Sequence, residues 1–507
     1  MLPRFPNDMP AVGYSRGLWG HVRSNISYLL HQRDWIKEGY IKYGKRGLPF
    51  LVPAGLSRPP DVVLPRSMLP WLLEQPESAV DAHAAHNEII YGDYNFLVPS
   101  VVRDSFGSRA ITKWLNRSLP GLIPAIEAEV RHAVERALAH VGADWTSVKL
   151  WDFWLAIVPP VTNRILAGAD ICRDERYLDA VVSFTHAVLR NCILLRMCPA
   201  VLHPVVGRLL AMANWRDWRR ADKLLRPIVE QRVEDMTSKA RDWQPPEDLI
   251  TWLIRQALAE GRTGELDPEI ISMRLLPLEF ASIDTTVLTG LLWTLDLLSS
   301  SPSVLATLTG ELHAHQPAPG SPWSKAALLS LVRVDSSIRE SQRLSNFHST
   351  LIERVIIPSG GLRLHVPGHD WILPRGAHLT VNLDGLHHDE DVYDDARTYD
   401  ALRFSRIRES RGERCSDTDA GTGVGGATLP LGMVSMNDTH FSFGHGRFIC
   451  PGRFFVAHEL RLIAAELLLK YEFKMLNEPP RRRWIGSGMV PPFRARIEIR
   501  RKRPANS

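Results

Sequence analysis

One cysteine of this chain sits in a setting suited to chemistry. Cys450 belongs to the run Phe443-Gly444-His445-Gly446-Arg447-Phe448-Ile449-Cys450-Pro451-Gly452 and leads straight into a predicted helix over Pro451 to Tyr471. A thiolate is both a nucleophile and a soft metal ligand, and it forms where nearby dipoles or cations lower the thiol pKa. The helix beyond Gly452 points backbone N–H groups and the positive end of its dipole at the sulfur. The glycines permit tight turns and the close approach of a flat group. The alternative reading is a buried structural cysteine in a helix-entry turn.

Two further constellations carry polar chemistry. The segment Ala281-Ser282-Ile283-Asp284-Thr285-Thr286 lies inside a long apolar helical stretch, Leu275 to Ser299. An acid followed by two threonines is locally unfavourable there, and local rules tend to break at functional sites. A carboxylate beside a hydroxyl that both donates and accepts can relay protons. The competing reading has a threonine bonding back to the i−4 carbonyl, with Asp284 on a wet face. The third motif is Glu340-Ser341-Gln342-Arg343. Its Glu and Arg share one helix face at i, i+3 and can form an ion pair. Taken alone, that spacing reads as a solvated surface pair.

These residues need elements to position them. Ala125 to Ala139 has apolar residues at Ile126, Val130, Val134 and Leu138, which is helical spacing. Ser324 to Arg343 reads as another helix. Residues 1 to 75 are rich in Pro and Gly, with short β-like runs at Leu48 to Val52 and Asp61 to Leu64. Leu351 to Ile357, His378 to Val381 and the alternating Phe493 to Arg500 read as strands. Arg408 to Asp438 is a polar, Gly-rich loop. One large helical region interleaved with small sheets fits this order better than three separate domains.

Composition narrows the classes. Of 507 residues, 45% are apolar and 23% charged, which excludes a disordered or collagen-like chain. A net charge of +5 suits an acidic partner or an anionic membrane surface rather than nucleic acid. The five cysteines include no C-x-x-C pair, so neither a zinc ribbon nor a disulfide scaffold is expected, and a reducing compartment fits. No uncharged apolar stretch reaches about 18 residues. The N-terminus is broken by Arg4, Asp8, Arg16 and Arg23, so neither a signal peptide nor a membrane span is expected there.

In order and spacing, the three motifs resemble those of the cytochrome P450 family, the haem-thiolate monooxygenases, over residues 35 to 500. The family's haem loop has the form F-x-x-G-x-x-x-C-x-G, and Phe443, Gly446, Cys450 and Gly452 match it. Phe448 occupies the position where the family usually has Arg or His to contact a haem propionate; Arg447 and His445 are the candidate substitutes. The family's E-x-x-R falls at Glu340 and Arg343, and Arg403 in Tyr399-Asp400-Ala401-Leu402-Arg403-Phe404 completes a structural Glu–Arg–Arg network. The acid–threonine pair is intact at Asp284 and Thr285, with Ser282 in place of the usual glycine. Trp114 and Arg117 stand one residue too close for the family's W-x-x-x-R, which leaves Arg109 or Lys113 to reach a propionate. Trp145 to Asp170, Glu340 to Leu344 and Phe443 to Phe455 are most similar to filamentous-fungal members, several of which oxidise terpenoid or other specialised metabolites.

The resemblance implies a mostly α fold with minor β, the triangular haem-thiolate fold. It implies haem b with Cys450 as axial iron ligand, and insertion of one oxygen atom from O₂ into an apolar substrate. No flavin or nicotinamide segment is evident, so electrons are expected from NADPH through a separate reductase. Arg447, Arg453 and Arg461 are expected to form part of its basic docking patch. A haem-thiolate isomerase or dehydratase that needs no O₂, and a haem-binding protein without turnover, are the other readings. The expected organisation is an N-terminal segment 1–34 without a membrane span, a single domain 35–500 and a basic tail 501–507. The expected location is cytosolic or peripheral on the cytoplasmic face of the endoplasmic reticulum. Substrate contacts are expected from Tyr91 to Leu97, the helix face near Phe280, Phe347 to Leu351, and Gly488 to Val490. Two weaker patterns carry no function: Gly421, Gly423 and Gly426 read as a flexible loop, and His387-His388-Asp389 as a solvated turn.

Overall fold

The computed structural model describes residues 4–14, 18–238, 243–412 and 431–503. Helix accounts for 58% of the residues and strand for 11%, so the fold is mostly α with minor β. Its axis is one central helix, Pro268–Leu298. Asp267 caps that helix by accepting the Glu269 N–H, and Pro268 occupies the first turn, where its missing N–H costs nothing. From Ile283 onward the helix is buried on almost every side. The helix Leu150–Leu166 packs directly against it, because a Cβ at Gly290 would stand 2.3 Å from the Trp154 ring. The Trp154 indole donates to Thr294 Oγ1 at 3.2 Å and fixes that contact.

The β structure is spread over small sheets. Five strands lie in the spatial order Phe50–Val52, Asp61–Leu64, His378–Asn382, Thr350–Ile356 and Val80–Asp81. All pair antiparallel except Asp61–Leu64 with His378–Asn382. Arg496–Arg501 pairs with Thr146–Lys149 on one side and Tyr471–Phe473 on the other. The hairpin Arg483–Ile485 to Gly488–Val490 stands apart. The main sheet has an apolar core of its own, and the helices share a larger one.

The structure departs from the sequence reading near the N-terminus. Leu18–Lys42 is a 25-residue helix that crosses the expected 34/35 boundary. Its apolar residues point both ways: Ile36 is buried, while Trp19, Leu30 and Ile41 are exposed. That spread hides the helical period in the sequence. The helix Phe106–Ala137 runs through Pro120 and Pro124. The stretch Ser324 to Arg343 divides into Lys325–Leu329 and Val332–Leu344. The Gly421, Gly423, Gly426 pattern and Cys415 lie outside the described residues.

Candidate active site

The Cys450 loop is folded by its glycines. Gly444 (φ 80°) and Gly446 (φ 72°) are both left-handed, a conformation costly for other residues. They turn the chain back, so that the Cys450 N–H donates to the Phe443 carbonyl at 2.9 Å. Gly446 also lies so close to Leu73 that a Cβ would sit 3.0 Å from its Cδ2. Gly452 lies beside the sulfur: a Cβ there would make ordinary contact with Cys450 Sγ at 4.0 Å. Gly452 caps the helix Arg453–Lys470. Burial pushes the Cys450 thiol up, against the Gly452 N–H, the Arg453 guanidinium and the Arg453 N–H, which favour thiolate. The helix-dipole effect read from the sequence is present and outweighed; metal coordination deprotonates such a thiol outright.

The surroundings of this loop fit a flat, carboxylate-bearing macrocycle. Arg354 is buried, and no carboxylate lies within ion-pair distance of it among the described residues. Its guanidinium packs on the Phe448 ring at 4.8 Å, and His83 meets the same ring edge-on at 5.3 Å. The buried Trp114 Nε1–H has no acceptor. Arg354 Nη1 donates to the Glu353 carbonyl at 2.8 Å, and a propionate would satisfy the rest of this buried cation. The expected substitutes point elsewhere. Arg447 is 60% exposed, donates to the Gln75 carbonyl at 3.2 Å and faces Glu77. Arg109 engages Asp104, Ser105 and Glu260. His445 lies 3.5 Å from Asp438. Neither Arg354 nor His83 belongs to a local motif, and no sequence signal marked them.

On the central helix, Ala281 and Thr285 form an accessible strip, with Thr289 partly accessible one turn on. Thr285 Oγ1 donates to the Ala281 carbonyl at 2.7 Å, the i−4 back-bond that the sequence left as the competing possibility. Its oxygen keeps acceptor capacity toward the accessible side. Asp284 departs from that reading: it is buried, and it turns toward the helix Glu175–Arg196, where it meets His186. Ser282 donates to the Leu278 carbonyl at 2.6 Å. Phe280 packs on Phe96 at 5.8 Å, and the Met489 N–H donates to the Phe347 carbonyl at 2.8 Å. Two pairs of the expected substrate segments therefore meet. Tyr91 (φ 49°) and Leu97 (φ 63°), both in strained left-handed backbone, bracket the short helix Gly92–Asn95 in the first of them.

The Glu–Arg–Arg network closes as expected. Arg343 Nε and Nη2 both donate to Glu340 at 2.8 Å, and Arg403 Nε donates to Glu340 Oε1 at 3.1 Å. Glu340 and Arg343 are fully buried. Arg343 Nη1 also reaches the His387 and Ala396 carbonyls. Sequence reasoning missed a second knot five residues earlier: Asp335 accepts from Arg408 at 2.6 Å, from Arg461 and from the Met433 N–H. Burial raises the Asp335 carboxyl, but Arg461 and Arg408 hold it below its ordinary value.

That knot corrects the expected docking patch. Arg461 is fully buried because Asp335 holds it, and Arg453 is buried with Nη1 on the Cys450 carbonyl at 2.9 Å. Of the three arginines only Arg447 is exposed. The 387–389 turn is also not solvated. His387 is buried and stacks on His440 at 5.0 Å, and Asp389 accepts from Tyr40 at 2.6 Å. No cluster of three or more metal-ligating side chains occurs among the described residues. The helices Glu175–Arg196 and Pro268–Leu298 are long and apolar enough to cross a membrane, yet half or more of each such stretch is buried in the fold.

A glycine-lined cysteine loop, an acid–threonine pair on a central helix and a buried Glu–Arg–Arg clamp together define a haem-thiolate enzyme. The family model for cytochrome P450 matches residues 107–494, and the chain belongs to that family. It is 30% identical to the cytochrome P450 monooxygenase gloP of Glarea lozoyensis over 99% of this chain and 92% of that protein. It is 30% identical to htyF of Aspergillus rugulosus, over 93% of this chain and 69% of that one. A third relative, polB of Polytolypa hystricis, is 29% identical over 98% of this chain and 94% of its own length. This protein is accordingly a haem-dependent monooxygenase.

Proposed function

We propose that this monooxygenase inserts one oxygen atom of O₂ into a bulky apolar compound of fungal secondary metabolism, terpenoid or similar. Electrons come from NADPH through a separate reductase. Cys450, in the loop of Phe443, Gly446 and Gly452, would supply the thiolate that holds the iron of haem b. The bound haem iron supplies O₂ activation, and thiolate ligation favours O–O cleavage. Arg354, His83 and Trp114 would bind the propionates. Thr285 Oγ1 holds a water at the accessible strip, and Asp284 passes protons to it. The partly exposed Phe280, backed by the buried Phe96, supports the choice of an apolar substrate, because it offers shape and no charge.

The observation that carries this reading is the Cys450 loop, whose left-handed glycines turn the chain so that the sulfur sits at the entry of the helix Arg453–Lys470 beside Gly452. Cys450→Ala should abolish the thiolate-type spectrum of the reduced carbon-monoxide complex; survival of that spectrum would overturn the ligand assignment.

A peripheral membrane contact belongs to the same reading. Val201, Leu202, Val205, Leu209 and Met212 are all exposed around the start of the helix His203–Ser238. Exposed Arg190 and Arg208 flank them. Apolar residues beside cations suit an anionic lipid surface.

A further inference from the structure

Asp284 is buried, and what faces it is a histidine. His186 Nε2, on the helix Glu175–Arg196, lies 3.5 Å from Asp284 Oδ1. Neither Asp284 oxygen has a hydrogen-bond donor, and His186 Nε2 has no partner either. Among the described residues, His186 is the one basic side chain within 4.0 Å of this carboxylate. A buried carboxylate without a donor is costly unless a cation faces it. Imidazole is the side chain that supplies and withdraws such a cation near neutral pH.

The two groups differ in access. His186 keeps 41% of its side chain exposed, against 11% for Asp284. The imidazole is walled by Trp151, whose ring lies 6.3 Å away, and Trp151 carries Phe493 edge-on at 4.7 Å. Glu279 on the same helix does not compete, since it accepts from Asn163 at 3.2 Å and Tyr177 at 3.4 Å. Water therefore reaches the outer edge of the His186 ring, while its Nε2 and both Asp284 oxygens are buried against each other.

We propose that His186 is the proton inlet of this enzyme, a positioning residue that takes protons from water and hands them to Asp284. This rests on the reading of Asp284 and Thr285 as the proton relay. In the transfer, the Nε2–H bond of the imidazolium breaks and an Oδ1–H bond forms. The electron pair stays on Nε2, which is buried against Asp284, so uptake is at the outer nitrogen: hydronium protonates Nδ1 and leaves water as Nε2–H is handed on, and a flip of the ring restores the starting tautomer. A small rotation brings the 3.5 Å separation into hydrogen-bond range.

The test uses the full chain with haem, reconstituted with an NADPH-dependent reductase and farnesol as probe. Peroxide released per NADPH oxidised is measured in H₂O and D₂O. His186→Phe keeps a ring against Trp151 and should raise the peroxide fraction at least twofold, with a larger solvent isotope effect. His186→Gln keeps a hydrogen-bond donor but cannot carry the proton, and should behave alike. Wild-type values in either variant overturn the inlet. Asp284→Asn separates the two readings: raised peroxide there with a wild-type His186→Phe leaves the relay standing and removes the inlet. Unchanged peroxide in Asp284→Asn removes the relay itself. Thermal unfolding of the two single variants and the double should be non-additive, and additivity would show that the pair does not interact.

Discussion

The Arg354 guanidinium lies 4.8 Å above the Phe448 ring. Two residues before the cysteine, where a cation is usual in this family, the chain has a phenyl ring, and the strand Thr350–Ile356 brings a buried cation onto it. The charge has moved from the loop to the sheet. Burial lowers the Arg354 pKa, with Glu353 pulling the other way, which is the condition of a cation short of anions.

Arg354→Leu should therefore weaken haem retention more than Arg447→Ala does. The measurement is haem per protein after purification, followed by the rate of haem transfer to excess apomyoglobin. About a tenfold faster loss is expected, equivalent to roughly 1.4 kcal/mol. Equal rates for the two variants would return the propionate to Arg447.

Thr285→Ala should fold, bind haem and consume NADPH while losing product to peroxide. Alanine favours helix and removes only the Oγ1 bond to the Ala281 carbonyl. Positioned proton transfer contributes about 10²–10⁴-fold, so the ratio of product to NADPH should drop sharply. An unchanged ratio would exclude Thr285 from proton delivery.

Glu340→Ala strips the carboxylate shared by Arg343 and Arg403. Breaking a buried pair in this way costs about 3–5 kcal/mol. Haem content and soluble yield should fall together. A haem-replete, soluble variant with only slower turnover would contradict the structural role of the clamp.

Glu279 gives a pH prediction with a definite sign. Burial raises its carboxyl to about 8, partly offset by hydrogen bonds from Asn163 and Tyr177. The folded state thus binds this proton more tightly than the unfolded chain. The group costs nothing below the unfolded pKa and destabilises increasingly as pH rises toward 8. The slope is at most about 1.4 kcal/mol per pH unit. Glu279→Gln should flatten the fall in melting temperature between pH 6 and 8.5, and a parallel fall in both proteins would rule out the buried acid as its source.

Replacing Val201 and Val205 by glutamate should weaken sedimentation with vesicles of phosphatidylcholine and phosphatidylserine. The carbon-monoxide spectrum should stay as it was, because both side chains stand clear of the core. Unchanged sedimentation would place the lipid contact elsewhere.

The sequence by itself determined the chemistry that one stretch of chain can encode. The cysteine loop was legible because cysteine, turn glycines and helix entry all fall within ten residues, Phe443 to Gly452. Glu340 and Arg343 were legible because three residues of helix bring them onto one face. The strands were legible as the short runs 61–64 and 378–381, though their parallel pairing was not. Only the tertiary structure decided which charges are buried and by whom. Arg461 and Arg453 look like surface cations on a helix, and Asp335, 126 residues from Arg461, takes one of them inside. Arg354 and Phe448 meet across a comparable gap, and His186 meets Asp284 where two helices cross. A charge's role depends on its dielectric surroundings and its partner, and both are fixed by packing between segments far apart in the chain.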